Sequence, residues 1–559
     1  MSSGMQDLVV AEKHTPTSEE GGSASDLPLA NGVARDYELK CALINKCMQE
    51  EIGFGRYQWQ LFVLSGLGWL ADNLWLQGLA VVLPAVEQEL NPSRVEYAVL
   101  AEFAGMIVGA TMWGVLADII GRKVSFNATL FIGGIFGIAA GGGLNFVSFS
   151  SLIACMGFGT RLVQLLVLGA LYLEFIPASH QWTLTLLSVW WAFGQLVASL
   201  ISWVFIANYS CNPSIPFGEC PRAQNMGWRY TLGAVTFVIF VMRYFVFDLQ
   251  ESPKYLVAQG RDEEAVAVLE HVARRNGRTI SLKVEDLHRI SESSKAPPAS
   301  WRDSLRRSFT DVSFSHIKPL FSTRRLALNT TLIILIWGLI GIAYPLYSSY
   351  LPLYLEARGS PSGATSLNVT YRNYAIVSIL GVPGSLIACY VVDLSRGTGK
   401  FTVGGRKMSL AVFTLLSSIF MFLFTTSKTQ VSVLGYSCAN SLVLYMYGVL
   451  YAYTPESFPA PHRGTGDALC SALNRIGGFI APLIKIATTP KTGTVSANAA
   501  NGPVFVSAAL FMVSAFVTLL LPIEVRLARS SSSARVYSTL GWLSHRPPDE
   551  AHSKSVAYP

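Results

Sequence analysis

The sequence predicts an all-α membrane protein with twelve transmembrane helices arranged as two six-helix halves. Three observations predict it. Only 14% of the 559 residues are charged and 51% are hydrophobic, against roughly 25% charged in soluble domains. Twelve apolar stretches each approach the ~20 residues a helix needs to cross the hydrocarbon. A short acidic-then-Gly-Arg-Lys pattern also occurs twice. Its first copy is Gly114-Val-Leu-Ala-Asp118-Ile-Ile-Gly121-Arg122-Lys123, and in its second Asp393 precedes Gly405-Arg406-Lys407, about 275 residues later.

Taken in order, residues 1–56 hold a polar Ser-, Gly- and Glu-rich tail without periodicity, then an amphipathic segment over 39–52 expected to lie against the membrane surface. The first half, 57–248, carries spans near 60–86, 97–117, 124–145, 149–176, 182–207 and 227–248. A linker follows over 249–326. Within it Asp262-Glu263-Glu264 opens a helix and Arg274-Arg275 closes it before Asn276-Gly277, the charge order that a helix dipole favours. Residues 291–311, rich in Ser, Pro and Arg, read as a mobile part of this linker. The second half, 327–524, carries spans near 327–355, 372–392, 407–427, 431–454, 464–487 and 503–524, and 525–559 form a basic, Ser-rich tail.

Basic residues orient this topology. Arg122, Lys123, Arg396, Lys400, Arg406, Lys407, Arg463, Arg526 and Arg529 fall on the side of both termini, whereas the opposite loops carry isolated cations such as Arg94, Arg222 and Arg358. The positive-inside rule makes the first side cytosolic. The net charge of +7 lies mostly in these loops and tails, which excludes a nucleic-acid partner, since such binders gather cations on one folded face. The eight cysteines form no metal-type cluster. Cys211 and Cys220 share one external loop, where an oxidising compartment favours a disulfide between them. Sequons at Asn208 and Asn368 also face outside and open these loops to glycosylation, while those at Asn127 and Asn329 lie in or beside the membrane.

The loop motifs have a mechanical logic. Gly114 permits close helix packing, Gly121 a tight turn, and Asp118 an ion pair with Arg122 or a neighbouring helix end. Such a latch holds one conformation and breaks in another. Over residues 53–525 the chain resembles the major facilitator superfamily. Gly53-Phe-Gly55-Arg56-Tyr57-Gln58-Trp59 with Asp72 and Leu83-Pro84 is similar to its synaptic vesicle glycoprotein 2-like branch. Glu251-Ser252-Pro253-Lys254-Tyr255-Leu256, Glu174-Phe-Ile-Pro177 and Thr454-Pro-Glu456-Ser-Phe-Pro459 with Arg463 resemble boxes of the sugar porters. The resemblance implies alternating access around a central solute site. Glu174 and Glu456 end helices, where a lone acid opposes the dipole. Each therefore needs a basic partner, and the expectation is Glu174 with Arg406 and Glu456 with Arg122 or Lys123.

Polar groups inside spans are the cargo candidates, because an ionised side chain at the helix centre costs about 2.5–3.5 kcal/mol on insertion scales. Asp72 is the candidate for proton or substrate binding. The alternative is a neutral or water-facing carboxyl bonded to Asn73 or Trp75. Gln77, Gln195, Asn440, Asn474 and Arg475 are cavity candidates, with Trp190, Trp191, Trp337 and Tyr344 as aromatic faces that either stack on a ligand or pack the core. Arg475 needs an anionic partner, from the solute or from Asp467 two turns away. The fourth span reads Gly157-Phe-Gly159-Thr160-Arg161-Leu-Val-Gln164, apolar where the branch is usually Gly- and Asn-rich. Either Arg161 adds a cation to the site, or a misread exon boundary altered this stretch.

These readings point to a secondary transporter of a small polar solute, sugar-like first, coupled to protons and acting as a monomer in the lipid bilayer of the plasma membrane. Organic anions or phosphate are the alternative cargo. A non-transporting sensor of the same fold is the alternative class. No nucleotide cradle, nucleophile–base set or metal cluster stands at working spacing, so neither an enzyme nor a cofactor is expected.

Overall fold

The computed structural model describes residues 35–120, 122–159, 172, 175–177, 180, 182–244, 250–258, 260–292, 317–358, 366–393, 405–444, 447–458, 463–489 and 501–522. Among them every regular element is helical. The first half contains α2 (Arg56–Leu90), α3 (Glu96–Ile120), α4 (Arg122–Gly141), α5 (Phe146–Gly159), α6 (Trp182–Leu186), α7 (Ser188–Tyr209) and α8 (Gly227–Tyr244). The second contains α12 (Arg324–Ser348), α13 (Leu351–Arg358), α14 (Leu367–Asp393), α15 (Arg406–Thr426), α16 (Gln430–Leu444), α17 (Tyr447–Ser457), α18 (Arg463–Thr488) and α19 (Asn501–Leu519). Each of the twelve apolar stretches overlaps one of these helices or a consecutive pair, the fourth over 149–159, with much of its remainder outside the described residues. Eight of the described helices are long and apolar enough to cross a membrane.

The two halves repeat one packing scheme. First and fifth spans pair as α2 with α7 and as α12 with α18, second and fourth as α3 with α5 and as α14 with α16. Small residues make the second–fourth contact close. A Cβ on Gly105 would overlap the Ala154 carbonyl, one on Gly109 the Phe158 carbonyl and one on Gly157 the Glu102 carbonyl. Gly384 meets Leu442 in the same way in the second half. Lipid supplies no hydrophobic force between helices, so backbone approach and van der Waals packing must hold them.

Helix α2 is 35 residues long and overruns the expected 60–86 at both ends. Its start is fixed from elsewhere in the chain, because the Tyr57 amide donates to the Asn276 side chain at 3.0 Å and Asn276 donates to Gln58 at 2.8 Å. Its end is the left-handed Asn91, φ 38°, whose amide donates to the Glu87 carbonyl. There Glu89 takes both terminal nitrogens of Arg229, at 2.7 and 2.8 Å, together with Trp228 Nε1 at 2.9 Å. Cys211 and Cys220 are disulfide-bonded at the same end of the bundle, with Cα atoms 6.1 Å apart.

At the opposite end, α9 (Pro253–Ala258), α10 (Asp262–Arg275) and α11 (Val284–Glu292) form a small helical layer from the linker. The amphipathic segment joins it as α1 (Arg35–Lys46) and a π-helical turn over Cys47–Ile52. The membrane-surface expectation for this segment is corrected here. Ile44, Met48 and Ile52 are buried, with the segment packed on α9, α10 and α11, and Lys40 forms a buried ion pair with Asp262. The linker helices cover that apolar face because Ala265, Leu269, Val272 and Leu287 offer a complementary one. Residues 293–316, which include most of the expected mobile stretch, lie outside the described residues.

Gly105→Val should force α3 from α5 at a cost of about 1–3 kcal/mol. The variant should lose its monodisperse peak in detergent size-exclusion chromatography. Gly435→Ala, with nothing within 4 Å of its new methyl, should behave as the parent. Glu89→Ala leaves a buried guanidinium without its carboxylate, a change that costs about 3–5 kcal/mol. It should lower the thermal unfolding temperature well beyond the effect of Glu264→Ala, which removes the exposed pair with Arg261.

Candidate functional site

Side chains of the two halves meet around a narrow cavity of about 30 Å³. Trp69 on α2 and Trp191 on α7 line it from the first half, and Tyr344 on α12, Tyr447 and Tyr451 on α17 and Asn474 on α18 from the second. The aromatic walls touch across the seam. Trp191 Nε1 donates to the Tyr344 hydroxyl at 3.1 Å, and the Trp69 and Tyr451 rings meet edge to face at 4.9 Å. Tyr344 and Tyr447 are 5.0 Å apart, and the Tyr447 hydroxyl donates to the Ile340 carbonyl at 3.2 Å. A chamber of this kind offers flat π faces with indole, phenol and amide groups, the chemistry that grips a polar ligand having some apolar surface.

Immediately beside the cavity, one polar chain ties the halves together. Asn73 donates to the Trp191 carbonyl at 2.6 Å, Gln77 donates to Asn73 at 3.4 Å, and Tyr374 of α14 donates to Gln77 at 2.6 Å. Asp72 is buried in this layer, one helical turn beyond Trp69, but is not among the lining residues. Gln195 and Arg475 are buried on α7 and α18, and Asn440 is buried on α16. Of the cavity candidates among the described residues, only Asn474 is in the lining. The aromatic candidates divide likewise. Trp191 and Tyr344 line the cavity, Trp337 stands behind Tyr451 at 4.6 Å, and Trp190 packs into the first half, where a Cβ on Gly66 would strike its ring.

Toward the disulfide end the seam is shut. Lys485 of α18 lies 3.3 Å from the Glu96 carboxylate of α3 and 3.8 Å above the Tyr350 ring. Arg94 donates to the Thr489 carbonyl at 3.1 Å, and the Tyr371 hydroxyl donates to the Val81 carbonyl at 2.7 Å. Toward the linker end, α6 packs on α17, and a Cβ on Gly448 of α17 would strike Ser188 at the start of α7.

The loop-motif residues fall mostly near the linker end. Arg406 is buried, pairs with Glu456 and donates to the Ala452 carbonyl. The expectation had paired Arg406 with Glu174 and Glu456 with Arg122 or Lys123; among the described residues Arg406 and Glu456 pair with each other. Arg406 opens α15 beside the end of α17, so among the described residues a carboxylate of the same half meets its desolvated guanidinium. Lys407 donates to the Leu521 carbonyl at 2.7 Å, a cation just beyond the C-terminus of α19. Glu251 is half-buried just before α9 and accepts the Ser252 amide at 3.4 Å. Gly114, Asp118, Arg122, Lys123, Asp393 and Arg463 are placed only by their helix backbones, and Gly121, Arg161 and Glu174 lie outside the described residues.

Sequence reasoning passed over Trp69, Tyr447, Tyr451 and the Lys485–Glu96 pair. Signals for them were present. Tyr447 and Tyr451 stand four apart and share a helix face, Trp69 precedes Asp72 by one turn, and Lys485 is a cation near the end of an apolar span.

The chain matches the Major Facilitator Superfamily over residues 61–482. It is 43% identical to "MFS siderochrome iron transporter 1" of Ceriporiopsis subvermispora over 530 residues, covering 92% of this chain and 97% of that one. It is 27% identical to the synaptic vesicle 2-related protein of Rattus norvegicus, covering 78% and 74%. Its fold is similar to that of the E. coli xylose transporter XylE in a partially occluded inward-open conformation, with TM-score 0.60, 16% identity and coverage of 84% and 98%. These are transporters rather than enzymes. The chain is therefore a multi-pass membrane protein with the two-half, twelve-helix fold, and it belongs to the Major Facilitator Superfamily.

Proposed function

We propose that the chain carries a small polar solute across the plasma membrane by alternating access, as a monomer, with the aromatic cavity as the solute site. The observation that carries this reading is that both halves contribute to one cavity, so any rocking of the halves must remake its walls. The linker, α1 and both tails face the cytosol, on the side rich in Arg and Lys. The Cys211–Cys220 loop faces outside. In this orientation Lys485, Glu96, Arg94 and Tyr371 form the external gate, and α6 with α17 the cytosolic constriction. Residues 57–248 and 327–524 are the two moving bodies, joined by 249–326.

A sugar-like solute fits the lining best, since Trp191, Tyr344 and Tyr447 present ring faces and Asn474 an amide for hydroxyl groups. Asp72 is proposed as the proton carrier. Its carboxyl is buried within the layer that ties α2 to α14 through Gln77, so a change of its charge bears directly on contact between the halves. A second reading, an organic anion, draws on Arg475, a buried cation adjacent in sequence to Asn474. The siderochrome named for one relative enters here as a further cargo to test.

Counterflow in proteoliposomes loaded with candidate solutes tests the class. Labelled solute should exchange across the membrane, and binding without exchange would make the protein a sensor. For the solute so identified, Trp191→Ala should raise the half-saturation concentration about tenfold, about 1.4 kcal/mol of binding. An unchanged value would remove the cavity from the solute path. Asp72→Asn should abolish uptake driven by a pH gradient while leaving counterflow. Retained pH-driven uptake would end the coupling assignment.

The gate has its own test. In a Lys485→Gln background, a cysteine replacing Tyr371 should react several-fold faster with an impermeant maleimide added outside. Equal rates in the two backgrounds would take Lys485 out of the gate.

A further inference from the structure

The irregular stretch between α10 and α11 holds a cluster that the transport reading does not use. Its sequence is Arg278-Thr279-Ile280-Ser281-Leu282-Lys283, with an arginine three residues before a serine. Ile280 and Leu282 are half-buried against the linker core, while Thr279, Ser281 and Lys283 are exposed, so the chain runs extended with alternate residues outward. Ser281 nevertheless has a defined task. Its hydroxyl donates to Glu51 Oε1 at 2.5 Å and its amide to Glu51 Oε2 at 2.6 Å. Arg278 donates to the Glu51 carbonyl at 3.3 Å. Glu51 lies at the end of the π-helical turn, five residues before α2, so Ser281 helps to hold the amphipathic segment onto the linker.

We propose that Ser281 is a phosphorylation site for a basophilic protein kinase, and that its phosphate releases residues 47–52 from the linker. The proposal rests on the cytosolic placement of the linker given above, since kinase and nucleoside triphosphate must reach it. An exposed, extended segment with a basic residue ahead of the serine is what such a kinase binds. In the transfer, Ser281 Oγ bonds to the γ-phosphorus and the bond from that phosphorus to the β-phosphate oxygen breaks. The nucleoside diphosphate departs, and the hydroxyl proton passes to the kinase base.

The product reverses the local electrostatics. A phosphoserine carries about −1.5 to −2 charges at neutral pH and no hydroxyl donor. The short bond to Glu51 becomes a like-charge contact, while Arg278 is placed to exchange the Glu51 carbonyl for phosphate oxygens. Cys47 reports the release. It is buried, its Sγ lies 3.8 Å from Glu51 Oε2, and burial with the Glu51 carboxylate pushes the thiol up to about 12. A thiol so placed is neutral and slow to alkylate.

The test uses the full-length protein in nanodiscs, ATP and the catalytic subunit of a cyclic-AMP-dependent kinase, with phosphopeptides mapped by mass spectrometry. Phosphate should appear at Ser281, be absent in Ser281→Ala and fall several-fold in Arg278→Gln. In the phosphorylated protein, N-ethylmaleimide should modify the Cys47 peptide several-fold faster, and phosphatase should restore the slow rate. Absence of phosphate at Ser281 overturns the site. Phosphate there with an unchanged Cys47 rate overturns the release. Neither readout measures transport, so failure here leaves the solute reading standing, and failure of counterflow leaves this one.

Discussion

Hydrocarbon offers no hydrogen-bond partner, so each polar group in the bundle must be matched by protein or by water held inside it. That demand organises this molecule. Backbone groups are satisfied within helices, and helices meet through glycines that let carbonyls approach, at Gly105, Gly109 and Gly157 in one half and Gly384 in the other. Among the described residues of the bundle three buried ion pairs show charge matched by protein, and where the partners lie bears on what can move. Arg229 with Glu89 and Arg406 with Glu456 are pairs within a half. Lys485 with Glu96 spans the seam.

The distinction has a physical consequence. Parting a buried pair inside a rigid body leaves two desolvated charges, at a cost of several kcal/mol. A pair at a seam can separate when water enters as the seam opens, which restores solvation to both ions. The same holds for the hydroxyl contacts of Tyr371 and Tyr374 with α2. Pairs within halves therefore preserve each half, while those across the seam set how readily it opens. The aromatic cavity lies below this closed seam, with its two walls supplied by different halves.

The linker end uses the opposite solution. There the apolar face of α1 is covered by linker helices rather than by lipid, and Asn276 reaches back to cap the start of α2. The N-terminal segment, the linker and the first span are thereby one mechanical unit. A change in the linker at Ser281 acts on the base of a transmembrane helix through Glu51.

The spans, the repeat of two halves and the boundaries of α10 were legible in the sequence because each depends on local chemistry. Length and apolarity define a span, and acidic residues at the start with Arg274-Arg275 before Asn276-Gly277 define a helix by its dipole and stop signal. Partners were not legible. Arg406 had several carboxylates available by charge alone, and only packing put Glu456 beside it. Trp190 and Trp191 are adjacent and chemically identical, yet on a helix they point about 100° apart, so one faces the cavity and the other the interior of the first half. The sequence by itself determined a bundle of membrane spans, since bilayer thickness and residue solvation act on each segment separately, and its loop motifs carried the resemblance to the major facilitator superfamily. Only the tertiary structure decided which side chains share the cavity, which ion pairs lie within a half and which cross the seam, since those depend on residues brought together from hundreds of positions apart.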